Sequence, residues 1–260
     1  MIVIKLGGNA LAASADSGWL HAVVGAYREN KRIVLVHGGG PQIDSELKLH
    51  DIPKVVVDGF RVTSSEAFEI VEMVLAGQVQ QKIVRSLRGA GIPAVGITGS
   101  DGGLFDARKK MSKDGNDLGK VGEISRVDPK IIETLWNVGF LPVLSPVSSD
   151  PAGDGYTVNA DLAAGALAGA LKVDKAIFMT DVKGIYRNYP DEATLIKKTT
   201  LAELSAMMHT FSAGMLPKVE AVKLALESGA KTAYVIDGRE TTALSDLLSG
   251  QEVGTEIVHG

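Results

Sequence analysis

Residues 1–9 read Met1-Ile2-Val3-Ile4-Lys5-Leu6-Gly7-Gly8-Asn9, and residues 33–41 read Ile33-Val34-Leu35-Val36-His37-Gly38-Gly39-Gly40-Pro41. Each is a short apolar run that ends in consecutive glycines. A run apolar at nearly every position is a strand covered on both faces, and parallel sheets are covered on both faces. Similar runs recur at 94–97, 141–144, 176–179 and 233–236. Helical patterns separate them. The segment 64–88 puts Phe68, Val71, Leu75, Val79, Ile83 and Leu87 at three- and four-residue steps, a single stripe on one face. Residues 159–171 are rich in Ala and Leu, and 216–229 carry Val219, Val222 and Leu226 on one side with Lys218 near the start. This alternation predicts an α/β fold: an open αβα sandwich with a mainly parallel central sheet.

Two segments depart from the alternation. Residues 104–127 surround Asp114-Gly115-Asn116-Asp117, a hairpin turn signal, and 148–158 hold two further turn clusters before a short strand. A second strand–helix series begins after residue 172, so two lobes are expected, 1–172 and 173–260.

Composition narrows the chemistry. The chain has 260 residues and no cysteine, which excludes disulfides, thiolate metal sites and cysteine nucleophiles. Lys and Arg number 27 against 31 Asp and Glu, so no overall basic balance invites nucleic acid. No apolar stretch approaches the ~18 residues of a membrane span. The apolar start is too short for a signal-peptide core and no basic region precedes it. The expectation is a cytoplasmic protein with neither nucleic acid nor membrane as partner.

The glycine runs lie where a strand's carboxyl end gives way to a helix, the edge at which open α/β sheets bind ligands. Glycine lets the backbone approach a ligand closely, and its N–H groups with a helix N-terminus offer donors to an anion. One Gly-Gly pair alone is more often an ordinary tight turn. Two in series, the first beside Lys5, point to an anionic ligand. Neither is a Walker A loop, and the G-x-G-x-x-G fingerprint of a dinucleotide-dependent dehydrogenase is absent.

Further stretches follow in order: G-F-R-V-T at 59–63, V-E-M-V-L-A-G at 71–77, A-V-G-I-T-G-S-D-G at 94–102 and L-G-K-V-G-E-I at 118–124. Then come V-N-A-D at 158–161, T-D-V-K-G-I-Y at 180–186, G-M-L-P-K-V-E-A at 214–221 and V-I-D-G-R at 235–239. With K-L-G-G-N-A at 5–10 and V-H-G-G-G-P-Q-I at 36–43, they cover essentially the whole chain. The set resembles the amino-acid kinase family, and within it the branch that phosphorylates the γ-carboxylate of N-acetyl-L-glutamate in arginine biosynthesis.

The resemblance implies a roster of roles. Lys5 and Lys218 match the two phosphate-binding lysines, and Asp161 matches the aspartate that orients them. Gly7 and Gly8 would hold phosphate, Gly39 and Gly40 the substrate carboxylate. Arg61 matches the arginine on the substrate's α-carboxylate, and Thr157 and Asn159 fall at substrate-binding positions. Asp181, Val182, Lys183, Gly184, Ile185 and Tyr186, with Thr210, Phe211 and Ser212, match the nucleotide segments. ATP would bind the C-terminal lobe and acetylglutamate the N-terminal one. Mg²⁺ would arrive with ATP, the protein having no metal site of its own. A carboxylate nucleophile is ionised at neutral pH and needs no general base, so the protein positions two anions and neutralises their charge. The region of the 68–87 stripe contributes to a dimer contact in the family, which implies a homodimer. Arginine-inhibited relatives carry an extra N-terminal helix that links dimers into a ring. This sequence starts on its first strand, so a dimer insensitive to arginine is expected.

Other readings stand beside these. Taken singly, Lys218 is a helix-surface lysine, Arg61 a surface ion-pair partner and Asp161 a carboxylate at a helix N-terminus. Thr157 stands where the family usually has asparagine, which loses an amide's second group. That opens the alternative of a kinase for aminoadipate linked to a small acidic carrier protein, to which the basic run Arg108-Lys109-Lys110 would suit; the same run also reads as a solvated edge strand. A non-catalytic nucleotide-binding regulator would be expected to lack one of the lysines or the aspartate, and Lys5, Asp161 and Lys218 are all present.

Overall fold

The computed structural model describes residues 1–7, 18–211 and 214–260. In chain order the strands are β1 (Ile2–Leu6), β2 (Ile33–His37), β3 (Val56–Val57), β4 (Phe60–Arg61), β5 (Ala94–Thr98), β6 (Phe105–Met111), β7 (Asp117–Val127), β8 (Leu141–Ser145), β9 (Val147–Ser149), β10 (Gly155–Thr157), β11 (Lys175–Thr180), β12 (Ile185–Tyr186), β13 (Leu195–Ile196), β14 (Lys198–Thr200), β15 (Thr232–Asp237) and β16 (Thr255–Val258). Each of the six apolar runs becomes a strand of one eight-stranded sheet, ordered β14-β16-β15-β11-β1-β2-β8-β5. Only the β15–β16 pair is antiparallel; the other neighbours run parallel. β1 lies inside the sheet, flanked by β2 and β11. Residues on both sides of 172/173 therefore share one continuous sheet.

Strand alternation sends side chains into two cores. Ile2, Ile4, Leu6, Ile33, Leu35 and Val143 enter one; Val3, Val34, Val36 and Leu144 enter the other. Lys5 shares the face of Val3, so the amine of a central strand points among helices rather than into water.

Those helices are Ala160–Ala170 and Leu216–Glu227. They pack almost backbone to backbone. A Cβ on Gly165 would lie 2.4 Å from the Ala221 carbonyl oxygen, and one on Gly169 would lie 2.2 Å from the Ser228 Cβ. The order 165 to 221 and 169 to 228 makes the helices parallel, with both N-termini at the carboxyl edge of the sheet. The small-residue composition of 159–171 thus has a partner that composition alone does not name.

The 64–88 segment begins at Ser64, whose hydroxyl caps the Ala67 N–H. It is not one uninterrupted α-helix: Met73–Val79 is wound as a π-helix between Ser65–Glu72 and Gln80–Gly89. The wider turn adjusts the phase, so all six stripe residues stay buried. It also buries Gln80, whose amide donates to the Ile97 and Val143 carbonyls.

The polar segment 104–127 forms the antiparallel β6–β7 hairpin. Pairing with β9 and β10 closes it into a four-stranded barrel. Five of its six cations find carboxylate partners within the chain: Arg108 and Lys110 with Glu123, Lys109 with Asp117, Lys120 with Asp154, and Arg126 with Asp106 and Asp128. Among the described residues no helix is long and apolar enough to cross a membrane.

Candidate active site

Three charges meet where β1 and the two parallel helices end. Lys5 Nζ is 2.8 Å from Asp161 Oδ1, and Lys218 Nζ is 3.8 Å from Asp161 Oδ2. Lys5 and Asp161 are buried, while Lys218 keeps about a fifth of its side chain exposed. Burial would push the Asp161 carboxyl up. The charges of Lys5 and Lys218 outweigh it and hold the carboxyl below its usual value. Asp161 therefore stays an anion between two cations. The net charge of the cluster is positive, at two helix N-termini that add partial positive charge.

A cavity of about 280 Å³ opens on the N-terminal side of this cluster. Gly38, Gly39, Gly40, Arg61, Thr157 and Asn159 line it, with Ile43, Phe60, Val71, Leu75, Val121 and Val158 as an apolar wall. A Cβ on Gly39 would lie 2.7 Å from Leu75 Cδ2, so a larger residue would push the loop off the helix beneath it. Asn159 caps the helix Ala160–Ala170: its Oδ1 accepts from the Asp161 and Leu162 N–H groups. Its amide NH₂ stays available as a donor. His37 is fully buried under the glycine loop, where its Nδ1–H donates to the Gly38 carbonyl at 3.0 Å. Burial lowers its pKa to about 4, so the ring is neutral at pH 7.

A larger cavity, about 810 Å³, opens on the C-terminal side. Asp181, Val182, Tyr186, Thr210, Phe211 and Lys218 line it, joined by Arg187, Asn188, Tyr189, Gly214 and Met215. Tyr186 and Tyr189 stand edge to face, 5.5 Å between ring centroids. Lys218 belongs to this wall, and Ala160, the neighbour of Asp161, belongs to the wall of the first cavity. The charged cluster is the seam between them.

Several candidates sit apart from both cavities. Lys183 turns to Glu192 at 3.1 Å, Ile185 is fully buried, and a Cβ on Gly184 would lie 2.5 Å from Thr255 Oγ1. Gly7 serves close packing, since a Cβ there would lie 2.7 Å from the Met179 carbonyl oxygen. Gly8 and Ser212 lie outside the described residues. The sequence gives neither the apolar wall, whose Val71 and Leu75 read there as a helix stripe, nor Tyr189 a role in a site. The wall is assembled from five separate segments, and Tyr189 follows the matched 180–186 stretch with no motif of its own.

The model of the family described as "Amino acid kinase family" matches residues 1–237. An acetylglutamate kinase of Archaeoglobus fulgidus is 43% identical over 267 residues, covering 98% of this chain and 92% of that protein. An acetylglutamate kinase of Moorella thermoacetica is 40% identical over 276 residues, covering 100% of this chain and 91% of that protein. Among solved structures, N-acetylglutamate synthase from Neisseria gonorrhoeae, complexed with coenzyme A and N-acetyl-glutamate, superposes with a TM-score of 0.87 at 22% identity. It covers all of this chain, which spans 59% of that synthase chain, and the likeness speaks for the fold alone.

Proposed function

The chain belongs to the amino acid kinase family, and from that premise we propose that it transfers the γ-phosphoryl group of ATP to the γ-carboxylate of N-acetyl-L-glutamate, giving an acyl phosphate and ADP. The observation that carries this reading is the Lys5–Asp161–Lys218 cluster at the seam of a small cavity and a larger one. The full-length relatives at about 40% identity are acetylglutamate kinases.

One carboxylate oxygen forms a bond to Pγ while the bond from Pγ to the bridging oxygen of ADP breaks. The electron pair leaves with ADP, and no proton moves. Lys5 and Lys218 spread their charge over the transferring group, and ionised Asp161 keeps both amines turned towards it. Backbone N–H groups of the Gly38–Gly40 loop and of the two helix N-termini supply fixed donors. Arg61 and the Asn159 amide take the α-carboxylate side of the acid, and Thr157 lines the same wall. Residues 1–172 bind the acid and 173–260 the nucleotide. Its base and ribose lie along the segments 181–189 and 210–215.

Among the described residues no group of three His, Cys, Asp or Glu side chains could hold a metal ion, and Asp161 is taken by two lysines. Mg²⁺ would enter with ATP on the phosphate oxygens, where it would neutralise charge on the nucleotide. The protein works in the cytoplasm as a homodimer whose contact includes the region of residues 68–87, where Met73 is 60% exposed. The test is ADP release with N-acetylglutamate, glutamate and carrier-linked aminoadipate side by side. Turnover with N-acetylglutamate alone is expected; turnover with the carrier-linked acid alone would reverse the reading. The carboxylate partners of Arg108, Lys109 and Lys110 favour the free acid.

A further inference from the structure

Arg61 is held from one side only. Its Nη2 donates to Asp44 Oδ1, and Lys54 Nζ lies 2.8 Å from Asp44 Oδ2. The other terminal nitrogen, Nη1, is buried and has no hydrogen-bond partner among the described residues. Arg61 lines the smaller cavity, and this permanently charged group carries one buried donor without a partner. A buried donor left unpaired is costly, and such cost is removed when a ligand supplies the acceptor.

The sequence places the anchor within reach. Asp44 stands on the helix Gly40–Leu49, which starts directly on the glycine loop and buries Ile43 and Leu47. Arg61 lies on β4, paired with β3 through Val56. The two elements meet through this carboxylate. Burial would raise the Asp44 carboxyl, but hydrogen bonds from Lys54 and Arg61 and their charges hold it below its usual value. It is an anion at neutral pH. Lys54 balances that charge, so the guanidinium keeps its attraction for a second carboxylate.

We infer that Asp44 is a positioning residue that fixes the Arg61 guanidinium so that its open edge takes the α-carboxylate of the acid substrate. This rests on the acetylglutamate reading and deepens it. A guanidinium receives a carboxylate best through two parallel bonds in one plane. Rotation about the long side chain destroys that plane, and the Asp44 bond stops the rotation. The consequence is selective: Asp44 acts on acid recognition and on nothing at the nucleotide end.

The experiment compares N-acetylglutamate with 4-acetamidobutanoate, the same chain without the α-carboxylate, in wild type, Asp44→Asn, Asp44→Glu, Arg61→Gln and the Asp44→Asn/Arg61→Gln double variant. Asp44→Asn is expected to raise KM for N-acetylglutamate about tenfold, a loss of one charge-assisted bond. The KM for ATP, the kcat and the kinetics with 4-acetamidobutanoate should stay within about twofold, as expected when an interaction common to ground and transition state is lost. Asp44→Glu should fall between wild type and Asp44→Asn, and the double variant should match Arg61→Gln. Equal losses with both acids, an unchanged KM for N-acetylglutamate, or a lowered one would overturn the inference. A wild type without preference for N-acetylglutamate would overturn the acetylglutamate reading and this inference together. If Arg61→Gln keeps the preference while Asp44→Asn loses it, the acetylglutamate reading survives and the Arg61 link fails. Thermal melting within a few degrees of wild type confirms that each variant is folded.

Discussion

The two cavities on either side of Asp161 are built in opposite ways. The smaller is set directly on the sheet edge: a glycine loop after β2, the capped start of the helix Ala160–Ala170, and one arginine anchored to a helix. Its polar groups include main-chain N–H groups and the Arg61 and Asn159 side chains, which other bonds hold. The larger is made from excursions of the chain after β11 and before the helix Leu216–Glu227, and its walls are side chains, two of them tyrosines. The first suits a small acid recognised by charge at fixed points. The second suits a larger, flatter ligand recognised by surface. The Lys5–Asp161–Lys218 cluster lies between them, with Lys218 on the wall of the larger and Ala160, next to Asp161, on the wall of the smaller.

That contrast can be broken by experiment. The seam should govern turnover. Lys5→Ala and Lys218→Ala are each expected to lower kcat by about 100-fold or more, the scale of losing one preorganised charge donor, with smaller changes in either KM. Steady-state kinetics with both substrates varied decides it, and full turnover in both variants would remove the cluster from the chemistry. Asp161→Ala leaves the buried Lys5 amine without its anion, so stability should fall by about 3 kcal/mol, as for other broken buried pairs. Urea unfolding reads this, and a shift below a third of that value would mean that water replaces the carboxylate.

The cavities themselves should separate by KM. Arg61→Lys loses the planar fork, and KM for the acid should rise about tenfold with ATP unaffected. Tyr189→Ala should raise KM for ATP about fivefold through lost aromatic contact and leave the acid unaffected. Crossed effects in either variant would mean that the cavities have been assigned the wrong way round.

The smallest effect lies outside both. Hydrogen bonds from Lys231 and the Met1 amino group lower Asp174 from 3.8 to about 2. Its contribution to stability is therefore complete above pH 3.8 and lost as pH falls towards about 2. Asp174→Asn should flatten the acid limb of a stability curve over that window, with kcat and both KM values unchanged. A change in KM would tie the N-terminal strand's anchoring to the site.

The sequence carried the strands, the glycine loops and the identity of the charged residues, because these are local. Apolar runs and consecutive glycines show their role within a few positions, as Ile2 to Leu6 and Gly38 to Gly40 do. It also carried Asp161, Lys5 and Lys218 as residue types in matched motifs. The tertiary structure decided what those types meet. Lys5 is a buried cation because strand alternation turns it to the helix side. Asp161 reaches Lys218 because Gly165 lets two helices approach to backbone contact. Asp44 reaches Arg61 only when β4 folds against the helix Gly40–Leu49. The barrel closes through pairings of β6 and β7 with β9 and β10, which lie far along the chain. Pairings between distant segments leave no periodic trace in either partner, since each is set by the surface the other presents once folded.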